Sequence, residues 1–334
     1  MADLPLLLLV VVVLAVIFDY INGFHDTANA IATSVSTRAL KPEHAILMSA
    51  TANFVGALTG TAVANTISSG LADTPEGAAG QVIVAAALIG AIAWNLLTWR
   101  LGIPSSSSHA LIGGLLGAVI ISEGLQAVIW EGVRDKVLIP LVASPVLGIA
   151  IGFLFMVVLL NVLRRAHPRR LNDRFRRLQV FSAGYMAFSH GSNDAQKTMG
   201  IITLALFTAG VIDTHDVPLW VILVSATAIS LGTAAGGWRI IKTMGQRVVK
   251  LDPVHGFAAE TTAATIIFGA SSIGAPVSTT HVIASAIMGV GSSRRLSAVR
   301  WGVAGNIVTA WILTIPASGL TAALAWVVLN AVLL

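Results

Sequence analysis

Cysteine is absent from the chain, which excludes disulfide bonds and thiolate metal sites. Charge is scarce as well: Asp, Glu, Lys and Arg make up 10% of the 334 residues, against about 25% in an ordinary globular domain. Hydrophobic residues make up 56%. So few charges could not cover a soluble core of this size. The composition therefore predicts an integral membrane protein, with lipid as a partner.

Apolar segments of bilayer-spanning length recur along the chain, since a span needs about 20 residues. The candidate spans are 4–22, 44–64, 81–99, 138–163, 178–207, 218–236, 254–272 and 301–329. Two further apolar pieces, 103–121 and 274–290, begin with Gly or Pro and a run of hydroxyl residues. They are too irregular for plain spans. The pattern predicts an all-α, polytopic membrane fold with broken helices and two re-entrant helical hairpins.

Most basic residues lie in short loops between the spans, and acidic loops alternate with them. The net charge of +5 therefore predicts membrane orientation and not nucleic-acid binding. With the basic loops in the cytoplasm, both termini lie outside. In this orientation 103–121 enters the membrane from the cytoplasm and 274–290 enters from outside. Two similar elements entering from opposite faces predict an inverted repeat.

Two sequence motifs recur in the same order. Segment 102–109 (Gly-Ile-Pro-Ser-Ser-Ser-Ser-His) returns as 274–281 (Gly-Ala-Pro-Val-Ser-Thr-Thr-His), and segment 23–29 corresponds to 191–197. Matching order and spacing indicate internal duplication. The predicted organisation is a first repeat at 1–163, a basic cytoplasmic linker at 164–177 and a second repeat at 178–334.

The hydroxyl runs suit helix starts, where Ser and Thr cap free N–H groups after a proline. A helix N-terminus is also an anion site. Two such ends meeting mid-membrane would surround a tetrahedral oxyanion with donors. The alternative is that these hydroxyls only pack helices or bond to carbonyls, but their duplication favours a site. The candidate anion-binding residues are Ser106, Ser107, Ser108, Ser278, Thr279 and Thr280.

Acids within apolar segments are functional candidates because burying them is costly. Asp26 and Asp194 lie near Asn29 and Asn193, and Glu260 lies near the start of a span. These oxygen-bearing side chains suit Na⁺, or a carboxylate could carry a proton. Cation binding would neutralise acids that otherwise repel an anion.

Two kinds of basic side chain accompany these motifs. Lys197 is interpreted either as an ion-pair partner of Asp194 or as an anion ligand. The motif histidines are predicted to carry protons or donate hydrogen bonds: His25, His109, His190 and His281. Their spacing argues against one shared zinc site.

These motifs together resemble the inorganic phosphate transporter (PiT) family, over nearly the whole chain. The segment Asn22–Ala30 is most similar to the bacterial low-affinity branch. The resemblance implies a homodimer with elevator-like movement in the bacterial inner membrane. It also implies proton-driven uptake of phosphate, including phosphate complexed with a divalent metal.

The resemblance also implies roles for individual residues. The six hairpin hydroxyls would cradle phosphate, assisted by Asn29, Asn193 and Lys197. Asp26, Asn29, Asn193 and Asp194 would hold the cation, with Glu260 as a further acid that sodium-coupled members use. His25, Lys197 and Asn65 depart from the family pattern, whereas Glu260 keeps it, so H⁺ and Na⁺ both stay open.

The function expected from the sequence is phosphate:cation symport, without a cofactor and without enzymatic activity. Carriage of another oxyanion such as sulfate is the first alternative. An intramembrane phosphate-ester hydrolase using a serine in 105–108 is the second. It is disfavoured because no nucleophile, base and orienting group occur together in either motif.

Overall fold

The computed structural model describes residues 4–334, and the fold there is all-α, as predicted. Within this range the α-helices follow in the order α1 (Leu4–Ser36), α2 (Pro42–Ala57), α3 (Ala62–Ser69), α4 (Ala78–Leu101), α5 (Ser107–Glu123), α6 (Trp130–Val133), α7 (Ile139–Val162), α8 (Pro168–Thr208), α9 (Leu219–Ala235), α10 (Trp238–Lys242), α11 (Pro253–Ser272), α12 (Thr279–Ser292) and α13 (Trp301–Leu333). Short π-helical turns occur at 134–138 and 243–247.

Helices α4 and α5 form one hairpin, and α11 and α12 form a second. Gly102 (φ 67°) and Gly274 (φ 70°) turn the chain at the two bends in the left-handed conformation, which suits glycine. A proline follows each glycine, and a serine then caps the next helix. Ser106 accepts a hydrogen bond from the His109 amide at 3.1 Å, and the corresponding serine of the second hairpin accepts one from the His281 amide at 3.2 Å. We call residues 104–109 tip 1 and residues 276–281 tip 2.

The two repeats exchange packing partners, which is the pattern of an inverted repeat. Helix α1 packs against α9 and, reciprocally, α8 packs against α2. Helix α13 covers α5 in the first hairpin, and α7 covers α12 in the second. Glycines allow both central crossings: a Cβ on Gly23 would lie 2.3 Å from the Ile229 carbonyl oxygen, and one on Gly191 would lie 2.2 Å from that of Asn53. Small residues of this kind let membrane helices approach closely.

Four helical segments are long and apolar enough to cross a membrane: α1, α4, Trp130–Val162 and α13. Two bent pairs reach that length together, α2 with α3 (69°) and α9 with Trp238–Arg247 (61°). The predicted span 44–64 therefore crosses a break after Leu58, where Thr59-Gly60-Thr61 interrupts the helix. The predicted spans 178–207 and 254–272 fall on α8 and α11, which carry buried ionisable residues.

Two helix boundaries differ from the sequence-based expectation. Helix α1 runs on to Ser36, fourteen residues beyond the predicted span, because the polar residues that follow meet polar partners inside the protein. Most of the predicted linker 164–177 is helical, since α8 begins at Pro168, a residue that suits the first turn of a helix.

The buried apolar residues form two clusters, one around each hairpin. The first joins α4 and α5 to the N-terminal part of α1 and the C-terminal part of α8. The second joins α11 and α12 to the C-terminal part of α1, α2 and the middle of α8. Helices α1 and α8 thus run through both clusters, and the motif residues lie at their middles.

Candidate functional site

The two hairpin tips meet inside the protein. The Ser108 hydroxyl lies 3.4 Å from the Val277 carbonyl oxygen of the opposite tip. The rings of His109 and His281 are in edge-to-face contact, with centroids 4.7 Å apart. All four residues are buried. Two hydroxyl-rich helix N-termini therefore converge from opposite repeats, so their free N–H groups and partial positive charges face a common region.

Lys197 on α8 forms hydrogen bonds with both tips. Its ammonium group donates hydrogen bonds to the Asp194 carboxylate, to the Ser108 hydroxyl and to the Val277 carbonyl oxygen, the last at 3.1 Å. Thr279 in tip 2 donates to the other Asp194 oxygen at 3.2 Å. Among the described residues, Lys197 is the one Lys or Arg that is buried. Its charge is compensated at the junction of the tips, as a buried charge requires.

The first signature segment reaches the tips through Asn29 and His25. The Asn29 amide donates to Thr280 Oγ1 at 2.9 Å and to Thr279 Oγ1 at 3.3 Å. His25 Nδ1 lies 2.6 Å from Asp26 Oδ1, and His25 Nε2 lies 3.4 Å from the Ser105 hydroxyl of tip 1. Asn29 thus contacts tip 2, and His25 links tip 1 to the first acid.

Asn193 holds the second hairpin at its bend. Its amide donates to Ser271 Oγ at 2.8 Å and to the Ala275 carbonyl oxygen at 3.4 Å. Its own Oδ1 atom is buried without a hydrogen-bond partner. The hydroxyl of Ser107 in tip 1 is likewise buried and unpartnered. These two groups offer an acceptor and a donor that the protein itself leaves unused.

The two signature acids come together despite lying 168 residues apart in sequence. One ligand atom each from Asp26, His190 and Asp194 lies within 4.8 Å of the others. His190 Nε2 is 3.1 Å from Asp194 Oδ2, and all three residues are buried. Two carboxylates in such a confined volume repel each other, so the group can bind a cation or a proton.

Glu260 lies apart from this group. Its carboxylate accepts hydrogen bonds from Thr33, Ser182 and Gln179, the last at 3.0 Å. Thr33 follows Asp26 by seven residues on α1, which is about 10 Å along the helix at 1.5 Å per residue. The structure therefore does not bring Glu260 together with Asp26 and Asp194. Asn65 is exposed on α3.

One further buried acid belongs to none of the duplicated motifs. Asp19 is fully buried on α1, seven residues before Asp26. An acid within the apolar run Ile17-Phe18-Asp19-Tyr20 is a signal that could have found it. Asp19 is not duplicated, because the equivalent position in the second repeat is Ala187.

Known proteins share this architecture and sequence. The chain matches the phosphate transporter family (PHO4) over residues 22–171 and 161–322. It is 48% identical over 328 residues to a Bacillus subtilis protein described as "Probable low-affinity inorganic phosphate transporter", covering 98% of each chain. A Rhizobium meliloti protein with the same description is 47% identical over 322 residues, covering 96% of each. A solved structure titled "The sodium-dependent phosphate transporter" superposes with a TM-score of 0.86 at 27% identity, covering 98% of this chain and 100% of that one.

Proposed function

Because the chain belongs to the phosphate transporter family, we propose that it is a secondary active symporter that carries inorganic phosphate together with a cation, most favourably H⁺. The observation that carries this proposal is the meeting of the two tips at Lys197. A lone buried ammonium group, two helix N-termini and several hydroxyls supply positive charge and donors at one buried point.

The proposed phosphate ligands are the hydroxyls and backbone N–H groups of the tips, with Lys197 and the amides of Asn29 and Asn193. Two tip hydroxyls donate to protein acceptors: Ser108 to the Val277 carbonyl oxygen and Thr279 to the Asp194 carboxylate. Phosphate oxygens would replace those acceptors. The tip hydroxyls in this set are Ser106, Ser107, Ser108, Ser278, Thr279 and Thr280.

Coupling follows from the charge of the site. Asp26 and Asp194 together carry two negative charges against the single positive charge of Lys197. Phosphate adds further negative charge, so its entry requires a neutralising cation. A proton on one of the acids would serve, and a neutral metal–phosphate complex would reduce the repulsion in another way. Sodium could instead bind near Asp26 and Asp194, with Glu260 as a separate site.

The membrane arrangement completes the proposal. The basic loops would face the cytoplasm with both termini outside, in the inner membrane of a bacterial cell and in a homodimer. Movement of the two hairpins relative to the helices that cover them would expose the tips to each side in turn. The repeat divisions at 1–163 and 178–334 are part of the same proposal.

The chemistry of the tips argues against the hydrolase alternative. Ser108 accepts its hydrogen bond from Lys197, whose ammonium group is also bonded to Asp194. A charged lysine is a donor and not a base, so Ser108 has no group to activate it. Ser105 lies 3.4 Å from His25 Nε2, and His25 contacts Asp26, but the Ser105 hydroxyl donates instead to Thr98 Oγ1 at 2.8 Å. Sulfate, by contrast, has the same tetrahedral oxygens as phosphate, and only competition separates the two carriers.

Transport into proteoliposomes tests the proposed function. The purified chain should take up radiolabelled phosphate when a proton gradient directed inward is imposed, and excess unlabelled sulfate should leave that uptake largely intact. A parallel sodium gradient at equal pH identifies the coupling ion. Absence of phosphate uptake under both gradients, with protein present in the vesicles, would refute the proposal.

A further inference from the structure

Asp19 is a buried carboxylate that the proposed phosphate site does not use. Its side chain is fully buried, and neither carboxylate oxygen has a hydrogen-bond partner among the described residues. The Thr198 hydroxyl and the Asn22 side chain lie beside this carboxylate, and Thr198 Oγ1 makes no hydrogen bond to any other group among the described residues.

An ionised carboxylate in such a place is costly, so it normally binds a cation or takes up a proton. Sodium sites in transporters draw on carbonyls released where a helix is broken. Helices α1 and α8 continue without a break through residues 19 and 198, so their carbonyls are held in helical hydrogen bonds. The surroundings therefore favour a proton over Na⁺.

The charged groups that act on Asp19 are Asp194 and Lys197, both on α8, which also carries the buried His190. Helix α5 contacts α1 as well, and its titratable residues are the buried His109 and, at its exposed C-terminal end, Glu123. Helix α9, which packs on α1, has no charged residue. Helices α10, α11 and α12 meet α1 beyond Gly23, through its later turns. The charged or titratable residues of α2 and α4 lie in exposed terminal turns: Glu43, His44 and Arg100.

We propose that Asp19 is the proton-carrying residue of the transport cycle, a proton-binding site next to the phosphate site and distinct from its ligands. This inference rests on the proposed phosphate transport. Ionised Asp19 adds a negative charge close to Asp194 and competes with it for Lys197. Protonated Asp19 removes that charge and can donate to Asn22 Oδ1 or Thr198 Oγ1. Protonation and phosphate entry therefore favour each other, and by linkage each promotes the other equally.

The site occurs once in the chain, because the duplicated position holds Ala187. It lies two helical turns before Asp26, about 10 Å along α1. In the proposed orientation this is the outer side of the phosphate site. A proton arriving from outside would move from water to the Asp19 carboxylate and return to water on the cytoplasmic side, with one proton transferred by this residue per phosphate.

Asp19→Asn tests the inference because asparagine imitates the protonated carboxyl group in shape and charge. In proteoliposomes, an inward gradient of one pH unit should let the wild-type protein accumulate phosphate about tenfold, the ratio set by one proton. Asp19→Asn should lose this accumulation while still exchanging labelled for unlabelled phosphate at equal pH. Asp19→Glu should recover it at least in part, and Asp213→Asn, an exposed matched substitution, should behave as wild type.

Proton binding can be measured directly with a pH-indicator dye. When phosphate is added in weak buffer, the wild-type protein should take up about one proton more per molecule than Asp19→Asn does. Accumulation by Asp19→Asn equal to that of wild type would overturn the inference, as would loss of exchange together with accumulation in both Asp19→Asn and Asp19→Glu. Wild-type transport driven by sodium alone would also overturn it while leaving phosphate transport standing. Absence of wild-type transport would instead refute the proposed function.

Discussion

The two signature segments occupy equivalent places in the inverted repeat but carry different charge. Asn29 and Lys197 are equivalent positions, and so are Thr280 and Ser108. Asn29 bonds to Thr280, and Lys197 bonds to Ser108, so each repeat uses the same contact to hold the hairpin of the other. Only the second repeat places a cation there. The duplicated motifs therefore form equivalent contacts, and the positive charge of Lys197 distinguishes the second repeat from the first.

The acids differ in the same way. Asp26 is accompanied by His25, whereas Asp194 has Lys197 and His190 as neighbours and also accepts from Thr279. Asp194 therefore has more polar contacts than Asp26. The two repeats thus make equivalent contacts with the tips but place different charges around their acids.

The largest expected effect comes from Asp194→Asn. An amide cannot compensate the buried Lys197 ammonium group, so we expect phosphate uptake in vesicles to fall by about 100-fold. Uptake should be normalised to the amount of protein in the membrane, with Asp213→Asn as the exposed control. Unchanged uptake would remove Asp194 from the mechanism.

Lys197→Gln should have the next largest effect. Glutamine keeps a donor near Ser108 but removes the positive charge, so phosphate affinity should fall about 30-fold at pH 7. The KM for labelled phosphate measures this change. A KM equal to that of wild type would show that Lys197 is only a structural partner of Asp194.

Asn29→Ala removes the equivalent contact in the first repeat. It breaks two neutral hydrogen bonds to tip 2, worth about 0.7 kcal/mol each, so uptake should fall about tenfold, which is less than in Lys197→Gln. Thr51→Ala on the exposed face of α2 is a suitable control. A loss larger than that of Lys197→Gln would mean that the charge difference between repeats does not govern binding.

The smallest effect concerns the N-termini of α4 and α11, at the ends of the hairpins away from the tips. Asp252 caps α11 by accepting from the His255 amide, whereas Gly77 gives α4 no side-chain cap. Asp252→Ala should lower stability by about 1 kcal/mol, the usual cost of losing a cap. Gly77→Asp should also lower stability, but through backbone strain, because Gly77 has φ 74° and ψ −149°, a conformation essentially restricted to glycine. A thermal unfolding series in detergent would compare the two, and equal melting temperatures for Asp252→Ala and wild type would contradict the capping role.

The same cap predicts a pH dependence. Burial alone raises the pKa of Asp252, but hydrogen bonds from His255 and the charges of His255 and Arg294 outweigh it and hold the pKa of Asp252 below its usual value. A depressed carboxyl pKa contributes stability at neutral pH that is lost as the pH falls below about 4. The difference in stability between wild type and Asp252→Ala should therefore shrink in acid.

Much of the fold and of the candidate site could be predicted from the sequence because the motifs are duplicated. Pro followed by hydroxyl residues indicates a capped helix start, and its return 172 residues later, with the acids in register, predicts two meeting tips. Local patterns could not predict the isolation of Glu260 or the break after Leu58. Both depend on which helices pack together. Comparison of the two repeats does not indicate Asp19, because the second repeat has no acid at the equivalent position, although the apolar residues around Asp19 are evident in the sequence.

The sequence by itself determined that the chain is a helical membrane protein, that it contains an internal duplication, and which polar residues belong to the duplicated motifs. Those properties follow from composition, apolar length and local capping, which act over a few residues. Only the tertiary structure decided that Lys197 contacts both tips and that Asp26 and Asp194 share one buried cluster. It also decided that Asp19 is fully buried, with no hydrogen bond to either carboxylate oxygen within residues 4–334. Contacts between residues far apart in the chain depend on how the two repeats interlock, and that is set by the packing of whole helices.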